Sequence, residues 1–241
     1  MGIKLGQREF APSWLMTVAT ILFGSLFVTL GFWQWQRGAE RQATWDAFAR
    51  STNSAIEVGT AHLAVLPEFS RVRLRGSYAP ERQFLLDNRI FDGRAGYEIL
   101  TPFVLTDGHV VLVNRGWIPF AGFRDQLPDV AFDAPHVSTI VGRIDELPSA
   151  GLASGRAAPQ TTAGWPRVTS FPRMTELAAA LGRPLESRIV LLDADAAYGY
   201  ERHWAAPGLN PMRHVGYAVQ WWGFAVVLLG LYVGLNLRKV V

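Results

Sequence analysis

Two long apolar segments that carry no charged residue lie near opposite ends of the 241-residue chain. The first covers residues 10–36 and the second residues 215–237. At about 1.5 Å of rise per residue, a helix of either length can cross a hydrocarbon core about 30 Å thick. A helix that is apolar on every face over such a length is typical of a membrane span, not of a soluble core. The pattern therefore predicts a membrane protein with one folded domain between two transmembrane helices.

The residues between the two apolar segments show the pattern of β-strands. Residues 71–75 alternate between polar and apolar with a period of two, as a half-buried strand does. The Asp107-Gly108 pair is a hairpin turn signal. Further strand candidates are rich in apolar and β-branched residues: 83–88, 97–105, 109–117, 138–144 and 188–193. We expect a compact antiparallel sheet or a barrel-like sheet.

Minor elements complete the prediction. Residues 39–50 are a polar continuation of the first helix, and residues 172–181 form a short helix that Thr175 could cap and Gly182 ends. Residues 58–66 are expected to be a short connection, and residues 150–164 a loop rich in small residues and proline. The predicted fold class is an α+β membrane protein with two terminal transmembrane helices around a single β-rich extramembrane domain. The predicted organisation is a tail (1–12), a span (13–36), the domain (37–212), a span (213–236) and a tail (237–241).

Composition excludes several classes of function. Cysteine is absent, which rules out disulfides and thiolate metal ligands. The net charge is only +3 and the arginines are dispersed, whereas a nucleic-acid-binding protein needs a basic stripe. The sequence has no Gly-x-Ser-x-Gly elbow, no His-Glu-x-x-His and no phosphate-binding loop, so we do not expect an enzyme.

Polar and aromatic residues mark the domain-side ends of both predicted spans. Gln34 and Arg37 end the first span, while His214, Tyr217 and Trp221 begin the second, so all five are expected at a similar depth. One interpretation is an interfacial aromatic belt, with the histidine bonded to backbone or water. The other is that His214 ligates a haem iron axially, with Arg37 or Arg213 near the propionates.

Glycines recur along both predicted spans at intervals that align on one helix face. Small residues let two helices approach closely, so the sequence predicts a packing face. These glycines are Gly24, Gly31, Gly216, Gly223, Gly230 and Gly234. At about 100° per residue, His214, Ala218, Trp221 and Ala225 fall on the opposite face of the second span, which we interpret as a ligand face.

Four segments resemble the surfeit locus protein 1 family. They are Gly-Phe-Trp-Gln-Trp-Gln-Arg (31–37), Gly-Tyr-Glu-Ile-Leu-Thr-Pro-Phe (96–103), Val-Leu-Val-Asn-Arg-Gly-Trp-Ile-Pro (111–119) and His-Val-Gly-Tyr-Ala (214–218) with Trp221. Their order, with one span at each end, extends the resemblance over nearly the whole chain.

The resemblance implies a cytochrome c oxidase biogenesis factor that helps to assemble the haem-copper site of subunit I. It implies that His214 binds haem a transiently and that subunit I, and in second place haem A synthase, is a partner besides the lipid bilayer. It also implies a bacterial inner-membrane protein whose domain faces the periplasm, an orientation that the flanking charges leave open. The alternative is a haem-independent chaperone that stabilises subunit I through its helices and its domain.

The Asn-Arg-Gly-Trp segment at 114–117 has two interpretations. In the structural one, Gly116 allows a tight backbone, Trp117 packs, and Arg115 pairs with a carboxylate such as Asp87 or Glu98. In the other, Arg115 and Trp117 form a docking surface for the oxidase subunit. Among the remaining histidines, His203 is a distant second candidate for a haem ligand because it precedes the second span closely.

Overall fold

The computed structural model describes residues 3–6, 8–51, 54–58, 63–120, 122, 126–149 and 164–239. The chain divides into two compact units, one made of Met1–Asp46 with Ala206–Val241 and the other of Ala47–Ala205. The loop predicted for residues 150–164 lies, apart from Gly164, outside the described residues, and so does His62.

The described residues contain three α-helices, a short 3₁₀ turn at Leu63–Val65 and eleven strands. The helices are α1 (Trp14–Arg50), α2 (Met174–Leu181) and α3 (Pro211–Asn236). The strands are β1 (Ile3–Leu5), β2 (Arg8–Phe10), β3 (Ile56–Glu57), β4 (Arg71–Tyr78), β5 (Phe84–Phe91), β6 (Arg94–Leu105), β7 (Val110–Pro119), β8 (Ser138–Asp145), β9 (Arg167–Thr169), β10 (Ile189–Leu192) and β11 (Leu237–Lys239).

Helices α1 and α3 are the two predicted spans. Each is long and apolar enough to cross a membrane, and only 6% of the most apolar stretch of each is buried within the protein. Helix α1 continues without a break through the polar residues 39–50, as predicted. Helix α3 starts with Pro211, and the Asn210 side chain accepts a hydrogen bond from the Met212 backbone nitrogen at 2.9 Å. A proline at the first position and an asparagine cap fix where the helix begins.

Short segments near the two ends of the chain form a small three-stranded sheet that the sequence pattern did not predict. Strand β2 pairs antiparallel with β1 on one side and with β11 on the other. The Ala11 backbone nitrogen also donates to the Asn236 carbonyl at 3.0 Å. Both ends of the chain therefore meet at the same end of the helix pair, as two membrane crossings require.

The second unit is built on a closed ring of strands. The sheet order is β3-β4-β8-β10-β7-β6-β5-β9, and an additional pairing of β4 with β6 joins β4, β8, β10, β7 and β6 into a five-stranded ring. Most pairs are antiparallel, while β3–β4, β5–β9 and β7–β10 are parallel. The β-rich, barrel-like prediction is confirmed, with a mixed sheet.

Both faces of the ring are packed. Strand β7 alternates between Val111 and Val113 in one buried cluster and Val110 and Leu112 in another. The second cluster includes Leu177 of α2, so this helix covers one face of the sheet. Alternation of side chains between the two faces of a strand explains why β7 is apolar almost throughout.

The two ends of α2 can be compared with the predicted capping residues, Thr175 and Gly182. The helix ends at Gly182, whose φ of +72° suits glycine, as predicted. Thr175 is not the cap: the helix begins one residue earlier, and Glu176 accepts a hydrogen bond from the Arg173 backbone nitrogen at 2.9 Å. The first-turn glutamate thus satisfies a backbone donor in front of the helix.

Candidate functional site

A hydrogen bond between the two long helices places His214 against Gln34. Nδ1 of His214, in the first turns of α3, lies 2.8 Å from Oε1 of Gln34 on α1. With the amide oxygen facing the ring, Nδ1 carries the hydrogen and donates it, so Nε2 keeps its lone pair. An imidazole in that tautomer is a metal ligand whose orientation the second residue fixes.

Gly38 lies beside this contact, at ordinary packing distance from α3. A Cβ at Gly38 would lie 3.4 Å from Cβ of His214 and 3.6 Å from the Pro211 carbonyl oxygen. Gly38 was not among the predicted glycines, although it follows Gly24 and Gly31 at the same seven-residue interval. Extending that interval by one step would have indicated that the glycine face of α1 continues to the start of α3.

The glycines of α1 lie on the side of the helix that faces α3. A Cβ at Gly31 would come within 2.2 Å of Nε1 of Trp222, and one at Gly24 would lie 4.0 Å from Cδ2 of Leu228. Close approach of the two helices at Gly31 therefore depends on the missing side chain.

The glycines of α3 do not pack against α1, and the prediction of a shared packing face is wrong for them within this chain. A Cβ at any of the four would meet open space; they are Gly216, Gly223, Gly230 and Gly234. The face that packs on α1 is the opposite one, which we had interpreted as a ligand face. It includes the partly buried His214 and the fully buried Ala218. A seven-residue interval defines a face of a helix but does not say which neighbour covers it.

The other residues predicted for the site have separate surroundings. Trp221 stacks on Phe27 with ring centroids 5.7 Å apart, about two helical turns along α3 from His214. Tyr217 is 53% exposed. Arg37 is exposed and forms an ion pair with Glu40 at 2.8 Å. The structure therefore brings together His214 and Gln34, while Tyr217 is exposed and Arg37 is exposed but paired with Glu40.

Arg115 is buried in the second unit, with 2% of its surface exposed. Its guanidinium donates to the Tyr198 carbonyl at 2.6 Å and to Oε1 of Gln83 at 2.9 Å, and it lies 3.7 Å from the ring centre of Phe132. The predicted pairing with Asp87 or Glu98 is wrong. Burial lowers the pKa of Arg115 below its usual value.

Glu98 does not pair with Arg115 because it has other partners, and Trp117 is buried in the same region. The Glu98 carboxylate accepts hydrogen bonds from Arg89 at 2.8 Å and from Asn114 at 2.7 Å. Trp117 is 5% exposed and donates from Nε1 to the Arg89 carbonyl at 3.1 Å. Because Arg115 and Trp117 are both buried, they do not form the predicted docking surface, and their roles are structural.

Gly116 has the tight backbone that the structural interpretation predicts. Its φ is +112°, and a Cβ there would lie 2.6 Å from the Glu201 carbonyl oxygen. His203, the second candidate ligand, stacks on Phe91 with ring centroids 4.9 Å apart. Within the part of the chain that the structure describes, no group of three or more histidine and acidic side chains could hold a metal ion.

Residues 21–226 match the sequence model of the SURF1 family. The chain belongs to this family. A SURF1-like protein of Monosiga brevicollis is 28% identical over 92% of this chain and 86% of its own length. One from Mycobacterium bovis is 30% identical over 66% of this chain and 57% of its own length. One from Rickettsia conorii is 23% identical over 87% and 86%, respectively.

Membership confirms the resemblance that the four sequence segments indicated. SURF1-family proteins are cytochrome c oxidase assembly factors, and membership supports a role of this chain in assembly of that oxidase. Two helices that can span a membrane are compatible with a bacterial membrane protein of this family.

Proposed function

We propose that this SURF1-family protein binds haem a through His214 and assists its insertion into subunit I of cytochrome c oxidase. The observation that carries the proposal is the hydrogen bond from His214 to Gln34, which leaves Nε2 as the coordinating atom. A neutral imidazole held by a second-shell acceptor is a common axial ligand arrangement. The donor set at this end of the helix pair therefore fits haem.

Nearby residues suit the rest of a haem molecule. Arg37 and Arg213 are exposed and would pair with the propionate carboxylates. Tyr217 offers an exposed aromatic surface one turn from His214. A single histidine at a half-exposed position suits transient binding, because a cargo has to leave for the next protein.

The test is the haem content of the full-length protein purified in detergent from cells that make haem a. We expect a haem a absorption spectrum and extractable haem in the wild type, and loss of both in His214→Ala at equal expression. His203→Ala is the matched control, since His203 is exposed and stacks on Phe91 in the other unit. Equal haem in His214→Ala and wild type would refute the assignment.

The orientation that goes with this function places the domain in the periplasm of a bacterial inner membrane. The chain lacks cysteine, so a single introduced thiol can be labelled without background. Ile90→Cys puts that thiol at a residue that is 76% exposed in the domain. We expect a membrane-impermeant maleimide to label it in intact spheroplasts, and labelling only after lysis would reverse the orientation.

One observation favours a second candidate function, a haem-independent chaperone for subunit I. The glycine face of α3 is open, and such a face allows close approach of a helix from another protein. This function predicts that Gly223→Leu abolishes co-purification of subunit I while His214→Ala preserves it. The haem-binding proposal predicts loss of haem in His214→Ala, whatever the effect of Gly223→Leu on co-purification of subunit I.

A further inference from the structure

A cavity lies in the second unit, and the residues that line it belong to that unit. It has a volume of about 460 Å³ and lies against β8 and the segment after β10. Ligand pockets in proteins are usually about 300–1,000 Å³. Its walls include Arg71, Tyr78, Ser138 and Asp193.

Two residues that line this cavity carry a buried hydroxyl group without a hydrogen-bond partner among the described residues. Oη of Tyr78 and Oγ of Ser138 are buried, and no described residue forms a hydrogen bond with either. Tyr78 is only 7% exposed. Buried hydroxyls are rarely left unpaired, because they lose their hydrogen bonds to water on folding. Neither oxygen is accessible from the cavity as the side chains stand, so both side chains must turn toward it before a ligand that accepts hydrogen bonds pairs with them.

The charges around Tyr78 favour an anionic acceptor. Arg115 and Arg202 both make the potential at the phenol more positive, but burial outweighs them and raises the pKa of Tyr78 to about 12. The phenol is therefore protonated at neutral pH and acts as a donor. Asp195 and Asp193 partly offset the charge of Arg202, whereas Arg115 hydrogen-bonds to neutral acceptors. The positive potential that favours an anion at Tyr78 therefore comes chiefly from Arg115.

The wall of the cavity formed by β8 is a strand edge. The cavity contacts five consecutive residues, 137–141, whereas a cavity over one face of a strand would contact alternate residues. Strand β10 ends where Leu192 pairs with Gly142, and the Asp193 nitrogen then donates to the Val141 carbonyl at 3.0 Å. Since backbone groups alternate in direction along a strand, the N–H and C=O of Thr139 face the side that β10 has left.

No described residue pairs with the N–H and C=O of Thr139 on that side, and such a donor and acceptor on one residue are complementary to a peptide backbone. We propose that this cavity binds an extended segment of a partner protein, which pairs with Thr139 at the edge of β8 and places an acidic side chain against the hydroxyl groups of Tyr78 and Ser138. A small anion would satisfy the hydroxyls but would leave the strand edge unused.

The rim charges agree with one acidic side chain at the inner end. Arg71 and Asp193 already form an ion pair, with Nε of Arg71 2.9 Å from Oδ2 of Asp193. Asp195, also on the rim, is exposed to solvent. It repels further acidic residues near the cavity mouth, so the partner segment is expected to have a single acid and neutral or basic neighbours.

The first step of the test locates the segment. A photoreactive benzoylphenylalanine replaces Val137, which lines the cavity and is 57% exposed, in the full-length protein in its native membrane. The matched control carries it at Ile90, 76% exposed on β5. We expect a cross-link at Val137, absent at Ile90, that maps to one stretch of a partner protein. No difference between the positions, or an adduct with lipid or a small molecule, would overturn the proposal.

The second step measures binding of that stretch as a synthetic peptide to purified full-length protein. We expect about a tenfold weaker Kd for Tyr78→Phe, and for a peptide whose acidic residue is replaced by alanine, with no further loss when the two changes are combined. N-methylation of alternate peptide residues should abolish binding in one register only. Binding that is insensitive to Tyr78→Phe and to both N-methylated peptides would overturn the proposal, while His214→Ala should leave binding unchanged.

Discussion

Oε1 of Gln34 on α1 accepts a hydrogen bond of 2.8 Å from Nδ1 of His214 on α3. This contact joins two residues that are 180 positions apart in the sequence. It fixes the tautomer and the orientation of the ring together, since rotation of the imidazole breaks the bond. The helix pair therefore holds its one candidate ligand in place before any ligand arrives.

Replacing Gln34 by alanine should weaken haem binding without removing the ligand itself. Loss of a second-shell partner of a metal-bound histidine typically costs about 10–100-fold in affinity. The measurement is a haem titration of the purified full-length protein followed by absorbance. Gln36→Ala is the control, because Gln36 is exposed two residues further along α1. Equal affinities in the two variants would show that the Gln34 contact does not orient the ligand.

The sequence was sufficient to predict that His214 and Gln34 lie at a similar depth, because two spans that flank one domain bring their domain-side ends to the same level. It was not sufficient to tell which face of α3 packs against α1. The glycines and His214 lie on opposite faces by periodicity alone, but which face meets α1 depends on side-chain packing such as that of Trp222 over Gly31. Periodicity holds no information on the partner of a face.

The strands of the ring were predicted from alternation at residues 71–75 and from apolar, β-branched composition in the other segments. Three-residue strands such as β1, β9 and β11 are too short to show a period, so the terminal sheet was missed. The partner of Arg115 was also beyond prediction: a carboxylate was expected, but the fold provides Gln83 and a backbone carbonyl instead. A buried guanidinium can be satisfied by neutral acceptors and aromatic rings, and composition does not distinguish these from an acid.

Substitutions at Gly31 and Gly223 compare a packed position with an open position on the two long helices. Gly31→Ala forces a Cβ to within 2.2 Å of the Trp222 indole, whereas Gly223→Ala adds a methyl group in open space. Overpacking typically costs about 1–3 kcal/mol. We expect Gly31→Ala to lower the midpoint of SDS-induced unfolding and Gly223→Ala to leave it nearly unchanged. The opposite ranking would mean that α3 presents its glycine face to α1.

Arg115→Lys should destabilise the domain although the charge is kept. A lysine cannot donate in two directions to the Tyr198 carbonyl and Gln83 while lying flat on Phe132. Leaving buried acceptors unpaired typically costs about 1–3 kcal/mol. Tryptophan fluorescence during denaturant unfolding in detergent measures the change. Arg75→Lys on the exposed side of β4 is the control, and equal stability of the two variants would contradict a structural role for Arg115.

Asp145, at the end of β8, should make the stability of the domain depend on pH. Burial is the largest effect on this carboxyl and raises its pKa, outweighing the hydrogen bond that it accepts from the Glu146 backbone. A group whose pKa is higher in the folded state favours folding while it is protonated and loses that contribution as the pH rises through the folded pKa. Asp145→Asn keeps the acceptor oxygen and removes the charge, so it should raise the unfolding temperature at pH 7. That gain should shrink as the pH falls from 7 through the range in which the wild-type carboxyl takes up its proton. Thermal unfolding of both proteins across this range measures the difference, and a gain that is constant with pH would show that the charge of Asp145 is not its cause.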